Sequence, residues 1–281
     1  MMKICDLHTH SVFSDGTYTP AEMIDEAIEC GVSALALTDH NTIDGLSSFS
    51  EAAAEKNIEI VPGAEFSVDY NGIELHLLGL FIKPEYFSAV NDILQDANEA
   101  KEESNLALIS SLASVGVKLD YDEIKKSTPN GRVNRANVAR AMTEKGYTAS
   151  VKEAFKKYLD LSIGHYQEPK RITSAQMIDF LRSINSLPIL AHPFLQFDEK
   201  GLVPFLEIAK KQGLSGIECY YSTYTEKMTK TSLCIAEHFG LAASGGTDFH
   251  GEVKPDIKIG VGKGNLSIPY TCYEKLKELL I

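Results

Sequence analysis

Cysteine is scarce in this chain of 281 residues and never occurs as Cys-x-x-Cys. The five thiols, Cys5, Cys30, Cys219, Cys234 and Cys272, are scattered and odd in number, which argues against a disulfide framework and a thiolate zinc site. They read instead as small buried hydrophobes of a protein kept in a reducing compartment. Positive charge is in deficit too: 27 Lys and Arg stand against 39 Asp and Glu, for a net charge of −12. A surface that coats long duplex nucleic acid needs a basic footprint, so that class is set aside, while a local positive pocket stays open. No apolar run approaches the length of a membrane span, and no secretory leader is expected ahead of functional-looking histidines that begin at His8. The expectation is a cytoplasmic, soluble protein, monomeric and without a membrane partner. With 44% hydrophobic residues the chain can bury a full core, as one large domain or two small ones.

Histidine is concentrated where cysteine is not. The stretch DLHTH, residues 6 to 10, places His8 and His10 two apart at the end of a short predicted strand, where alternate side chains share a face. One such pair arises easily by chance. The pattern recurs, however: SALALTDH ends in Asp39 and His40, IEIVPGAE in Glu65, GIELH in His76, LPILAHP in His192, and LAASGGTDFH in Asp248 and His250, while LSGIECYY carries Glu218. Amphipathic helical segments such as PAEMIDEAIECG separate these strands. Strand, polar residue at its C-terminal end, helix and next strand is the grammar of an α/β barrel, whose chemistry sits where the strands end.

Between residues 85 and 165 that grammar lapses. Val90, Ile93, Leu94 and Ala97, followed by Leu106, Ile109 and Leu112, mark one long helix or two joined ones, and two further helices follow. The chain is therefore read as a barrel of residues 1–84 and 166–281 with a helical insertion, 85–165, that acts as a substrate-binding lid.

The polar residues gathered this way are His8, His10, Asp15, His40, Glu65, His76, His192, Asp248 and His250, which include six of the eight histidines. Imidazole with carboxylate, and no thiolate, is the ligand mix of catalytic Zn²⁺, Mn²⁺ or Fe²⁺. Nine ligands are too many for one ion. Three divalent ions balanced by three carboxylates would leave a site of net positive charge, suited to a phosphate dianion and a hydroxide. No Ser-His-Asp arrangement or phosphate-cradling P-loop points to another route.

In that order, DLHTHSVFSDG, LALTDHNTIDG, VPGAEFS, LHLLG, LAHP and SGGTDFHG resemble the metal motifs of the polymerase and histidinol phosphatase (PHP) family of phosphoesterases. The resemblance spans nearly the whole chain. It is strongest to the group that removes the 3′-phosphate from nucleoside 3′,5′-bisphosphates, some of whose members also trim the 5′ ends of short RNA. It implies a distorted (β/α)7 barrel and three divalent ions: His8, His10, Glu65 and Asp248 on one, Glu65, His76 and His192 on a second, Asp15, His40 and His250 on a third. The mechanism that fits is attack by a metal-bound water held through Glu65, Asp15 and Asp248. The substrate would be a small phosphorylated molecule, a nucleotide or short oligonucleotide.

All five arginines lie between residues 132 and 182. Arg132 and Arg135, with Asn137, Lys101 and Asn105, are the candidates for holding a second phosphate. Departures from the family pattern surround them: Asn137 stands where relatives have histidine, Ser104 where an arginine is expected, and Tyr221 and Tyr224 where histidines are frequent. A phosphatase of another small monoester, such as histidinol phosphate, is the alternative. A C–N hydrolase on the related barrel, or a metal-binding module without activity, fits the full set of ligands less well.

Overall fold

The computed structural model describes residues 3–128, 131 and 133–280. Seven strands, Ile4–Asp6 (β1), Val32–Leu37 (β2), Glu59–Tyr70 (β3), Ile73–Leu80 (β4), Leu187–Leu190 (β5), Gly216–Tyr221 (β6) and Ala242–Gly246 (β7), pair in sequence order. Leu7 N–H donates to Gly245 O and Thr9 bridges Phe249, so β1 meets β7 and the sheet all but closes. The seven-stranded barrel read from the sequence is thus present, with one departure. β4 runs antiparallel to both neighbours, and the β3–β4 connection is a two-residue hairpin instead of a helix. Its central residues, Asn71 and Gly72, both have positive φ (53° and 81°), the conformation that matches the twist of the strands they join.

Outside the barrel, local chemistry sets the helix ends. Helix Pro20–Glu29 (α1) starts at a reciprocal Thr19–Glu22 capping box, with proline in its first turn. It buries Met23, Ile24 and Ala27. Leu46–Ala53 (α2) follows β2. VSALAL of β2 has no exposed position, as expected for a strand covered on both faces.

The chain divides into two compact units, 1–91 with 172–281, and 92–171. The sequence put these junctions at 84/85 and 165/166. Helix Phe87–Ser114 (α3) is continuous over 28 residues, so of the two readings the sequence allowed, one long helix or two joined ones, the single helix is present. The second unit has a core of its own: Leu108, Leu112, Ile124, Val138 and Met142 are among its buried residues. Tyr121–Ser127 (α4), Arg135–Glu144 (α5) and Val151–Ala154 (α6) also belong to it. Ser174–Ser183 (α7), Glu199–Gln212 (α8), Glu226–Phe239 (α9) and Thr271–Glu278 (α10) belong to the barrel unit.

All five cysteines are free. Three are buried as expected, but Cys30 is half-buried and Cys234 is exposed on α9, because its helical phase turns it away from the sheet. Among the described residues, no helix is long and apolar enough to cross a membrane.

Candidate metal centre

Nine side chains read from the sequence converge in the barrel unit, with Glu65 at their centre. The Glu65 carboxylate is completely buried. Its Oε1 lies 2.8 Å from His76 Nδ1 and 3.0 Å from His192 Nε2. Its Oε2 lies 2.9 Å from His40 Nδ1 and 3.3 Å from both His8 Nε2 and His10 Nε2. Asp248 Oδ1 joins the second group, 3.3 Å from His10 Nε2. A third group forms around Asp15, whose Oδ1 is 3.2 Å from His250 Nε2 and 3.8 Å from His40 Nε2. Three sets of atoms are close enough to share an ion: His8, His10 and Glu65; His40, Glu65 and His76; and His10, Asp15, His40 and His250. His40 and His10 therefore each face two groups, a sharing the sequence did not indicate.

The position of Glu65 and His76 also differs from expectation. Both lie inside strands, not at their ends, since β3 continues to Tyr70 and β4 begins at Ile73. Ser67 pairs with His76, and Glu65 lies two residues before Ser67, so Glu65 and His76 occupy one face of the hairpin.

The protonation chemistry suits cations. Burial opposes ionisation of Glu65, but His40, His76 and His8 outweigh it and hold its carboxyl well below the usual range. Burial and the neighbouring His250 and His40 hold His10 well below the ordinary imidazole value, which leaves it a neutral donor. Burial lowers His76, yet Glu65 and Glu74 override it and push its pKa up to about 10. A proton held on such an imidazole is one that a metal ion displaces.

Two further observations fit metal ions. His8 Nε2 and His10 Nε2 are 3.0 Å apart, about the separation of two nitrogens that each sit ~2.1 Å from one ion at a right angle. Glu65 Oε2 and Asp15 Oδ1 are buried and, although imidazole nitrogens lie close, make no well-aligned hydrogen bond, an arrangement that is costly unless a cation satisfies them.

Sequence reasoning missed the residues that aim the ligands. Glu218, completely buried on β6, accepts from His8 Nδ1 at 3.1 Å and from the His192 backbone N–H at 2.7 Å. A carboxylate only accepts, so Nδ1 of His8 carries the proton and Nε2 is turned to the cluster. The same contact pins His192 at its unusual φ of 28°. Asp39 takes Ser11 N–H, Ser11 Oγ and Ser14 Oγ, which folds the HTHSVFSDG loop that carries Asp15. Asp6 takes Thr247 N–H, Thr247 Oγ1 and Gly260 N–H, which fixes the start of the TDFH loop. Strand-end carboxylates were visible in the sequence, but nothing there separates a ligand from a brace.

Glu218→Gln is expected to weaken metal binding about 10- to 100-fold, as loss of an orienting partner typically does. Competition with a chromogenic chelator measures it, and unchanged affinity would show that Glu218 only fills space.

The substrate-binding candidates lie in the helical unit. Arg135 stacks on Tyr166 at 4.5 Å and donates to Leu159 O, while Lys101 donates to the Tyr166 hydroxyl at 3.1 Å. Among the described residues neither cation is ion-paired to a carboxylate. Asn105 is buried and donates to Val133 O, and Asn137 forms a capping box with Asn134 at the start of α5. Both amides thus have local structural work. Arg132 lies outside the described residues.

The PHP domain family matches residues 6–258. A Haemophilus influenzae protein named 5′-3′ exoribonuclease is 30% identical over 256 residues, 89% of this chain and 91% of that one. A 3′,5′-nucleoside bisphosphate phosphatase from Chromobacterium violaceum is 30% identical over 248 residues, 87% of this chain and 86% of that one. A solved Chromobacterium violaceum chain, described as an amidohydrolase with bound sulfate and no metal, superposes with a TM-score of 0.82 at 26% identity, over 98% of this chain and 96% of that one.

Proposed function

The chain belongs to the PHP domain family of metal-dependent phosphoesterases, and on that premise we propose that it removes the 3′-phosphate from nucleoside 3′,5′-bisphosphates, with the 5′ ends of short oligonucleotides as a second substrate class. The observation that carries the hydrolytic reading is Glu65, whose two oxygens face two separate sets of imidazoles. A carboxylate so placed would let Glu65 help hold two ions at once.

His8, His10, Glu65 and Asp248 would hold one ion, Glu65, His76 and His192 a second, and Asp15, His40 and His250 a third. Divalent ions bound there would supply a water of near-neutral pKa and neutralise charge on the phosphoryl oxygens. The chain's own part is positional. Glu218 and Asp39 fix the donors, and the burial of Glu65, His8 and His10 strengthens the charge interactions among them.

The substrate reading rests on the two relatives named above and on the cationic pair Lys101 and Arg135, which Tyr166 holds together in the helical unit. These would bind the second phosphate, the one not cleaved. Arg135→Ala is then expected to raise KM for a 3′,5′-bisphosphate by about 10- to 100-fold, about 1.4 to 2.8 kcal/mol, with kcat little changed. Hydrolysis of an aryl phosphate, which lacks the second group, should barely respond.

A phosphate-release screen of the metal-loaded protein tests the whole reading. It compares mononucleotides, 3′,5′-bisphosphates, histidinol phosphate and short 5′-phosphorylated oligonucleotides. Preference for histidinol phosphate, or an equal effect of Arg135→Ala on every substrate, would overturn the two-phosphate reading.

A further inference from the structure

Asp248 has a left-handed backbone (φ 55°), and its two oxygens keep different company. Oδ1 faces the imidazoles of His10 and His250, at 3.3 and 3.4 Å. Oδ2 accepts from the Tyr221 hydroxyl and from Lys254 Nζ, each at 2.7 Å. Tyr221 is buried and neutral, since burial and Asp248 push its phenol far up, and it holds the carboxylate without adding charge. Lys254 does something else.

Among the described residues, Lys254 is the one lysine or arginine in ion contact with any of the nine candidate ligands. A cation bonded to a ligand carboxylate competes with the ion that carboxylate is meant to hold, and it repels that ion across the largely buried carboxylate between them. A pure anchor would serve better as a neutral donor, as Tyr221 does. The competing charge is offset when an anion arrives. Lys254 is also built to meet one: its side chain is 36% exposed, and its ammonium has three donors, of which Asp248 Oδ2 engages one. Its backbone is pinned by the preceding turn, with Glu252 N–H donating to Thr17 Oγ1 and Lys254 N–H to Gly251 O.

We propose that Lys254 is a substrate-binding residue whose ammonium, tethered by Asp248 beside the ligand cluster, takes up an oxygen of the phosphoryl group under attack. The inference rests on the phosphoesterase reading above. It assigns the phosphate a protein cation in the barrel unit itself, separate from Lys101 and Arg135. A flexible, strongly hydrated point charge suits a group that alternates between a carboxylate and an arriving phosphate.

The test compares wild type with Lys254→Met, Lys254→Gln and Lys254→Arg, so that failure of one variant to fold leaves others to read. Metal affinity is measured by chelator competition, affinity of the metal-loaded protein for inorganic phosphate by calorimetry, and turnover by phosphate release. Lys254→Met and Lys254→Gln should bind metal as tightly as wild type or more tightly, yet lose about 10- to 100-fold in phosphate affinity. Lys254→Arg should recover most of the loss. If metal and phosphate affinity fall together in the uncharged variants, Lys254 is an anchor of Asp248 and the inference is overturned. Unchanged phosphate affinity overturns it as well. A wild-type protein that neither binds phosphate nor hydrolyses any phosphate ester overturns the phosphoesterase reading and this inference with it, an outcome distinct from the other two.

Discussion

Glu65→Ala is expected to reduce turnover by at least about a thousandfold, which corresponds to about 4 kcal/mol of barrier, and to lower the metal content of the protein. Five imidazoles, those of His8, His10, His40, His76 and His192, lie within 3.3 Å of its two oxygens. Without the carboxylate they would crowd one another in a largely buried site with no shared anion between them. Like charges there repel with little screening, so ions would be lost together, not one at a time. Metal analysis and steady-state kinetics on wild type and variant check this. One ion or fewer per wild-type chain, or an active Glu65→Ala protein, would sink the multinuclear reading.

Gly246→Ala is expected to destabilise the protein by about 3 kcal/mol, the upper end of ordinary overpacking, seen as a fall in Tm of roughly 6 to 12 °C. A Cβ on Gly246 would fall 2.2 Å from His8 Cβ and 2.5 Å from His8 N. His8 N is backbone of the segment that follows β1, and His8 Cβ is fixed to that backbone, so no rotamer change relieves the contact. The chain must separate at the seam where β7 closes the barrel, and it does so at the residue that presents the first imidazole. Thermal unfolding and metal content should therefore fall together. A Gly246→Ala protein with the stability and metal content of wild type would show that the seam is not tightly packed.

How far the sequence could be read depended on which side of the chain a residue faces. Thr38-Asp39-His40 and Thr247-Asp248-Phe249-His250 look like two copies of one motif. In extended backbone, neighbours point to opposite faces and alternate residues share one. Asp39, adjacent to His40, turns away from the cluster to brace Ser11 and Ser14. Asp248 does not follow that alternation, because its left-handed backbone (φ 55°) breaks the extended run, and its Oδ1 turns toward the cluster. Pairing across the barrel was not legible in this way. Glu218 meets His8 over 210 residues of sequence, and neither residue carries a mark of the other. Lys254 was hidden for the same reason, since a lysine in a loop reads as solvated until its carboxylate is seen. The hairpin escaped notice because Glu65 and His76 each end an apolar run, which in sequence resembles the end of a strand. In the fold, both strands continue past them.

The hairpin turns a distance along the chain into a distance between ligands. Glu65 and His76 are 11 residues apart, joined by ladder pairs that run without a bulge from Gly63 and Leu80 to Tyr70 and Ile73. A slip of one residue would carry one of the two to the outer face of the sheet. Chain length can drift in connections that carry no candidate ligand, because flexible connections absorb an insertion at little free-energy expense. Between Glu65 and His76 it cannot. The tip at Asn71 and Gly72 touches no candidate ligand, yet a single residue added or deleted there would act on the metal centre as directly as replacing one of its histidines.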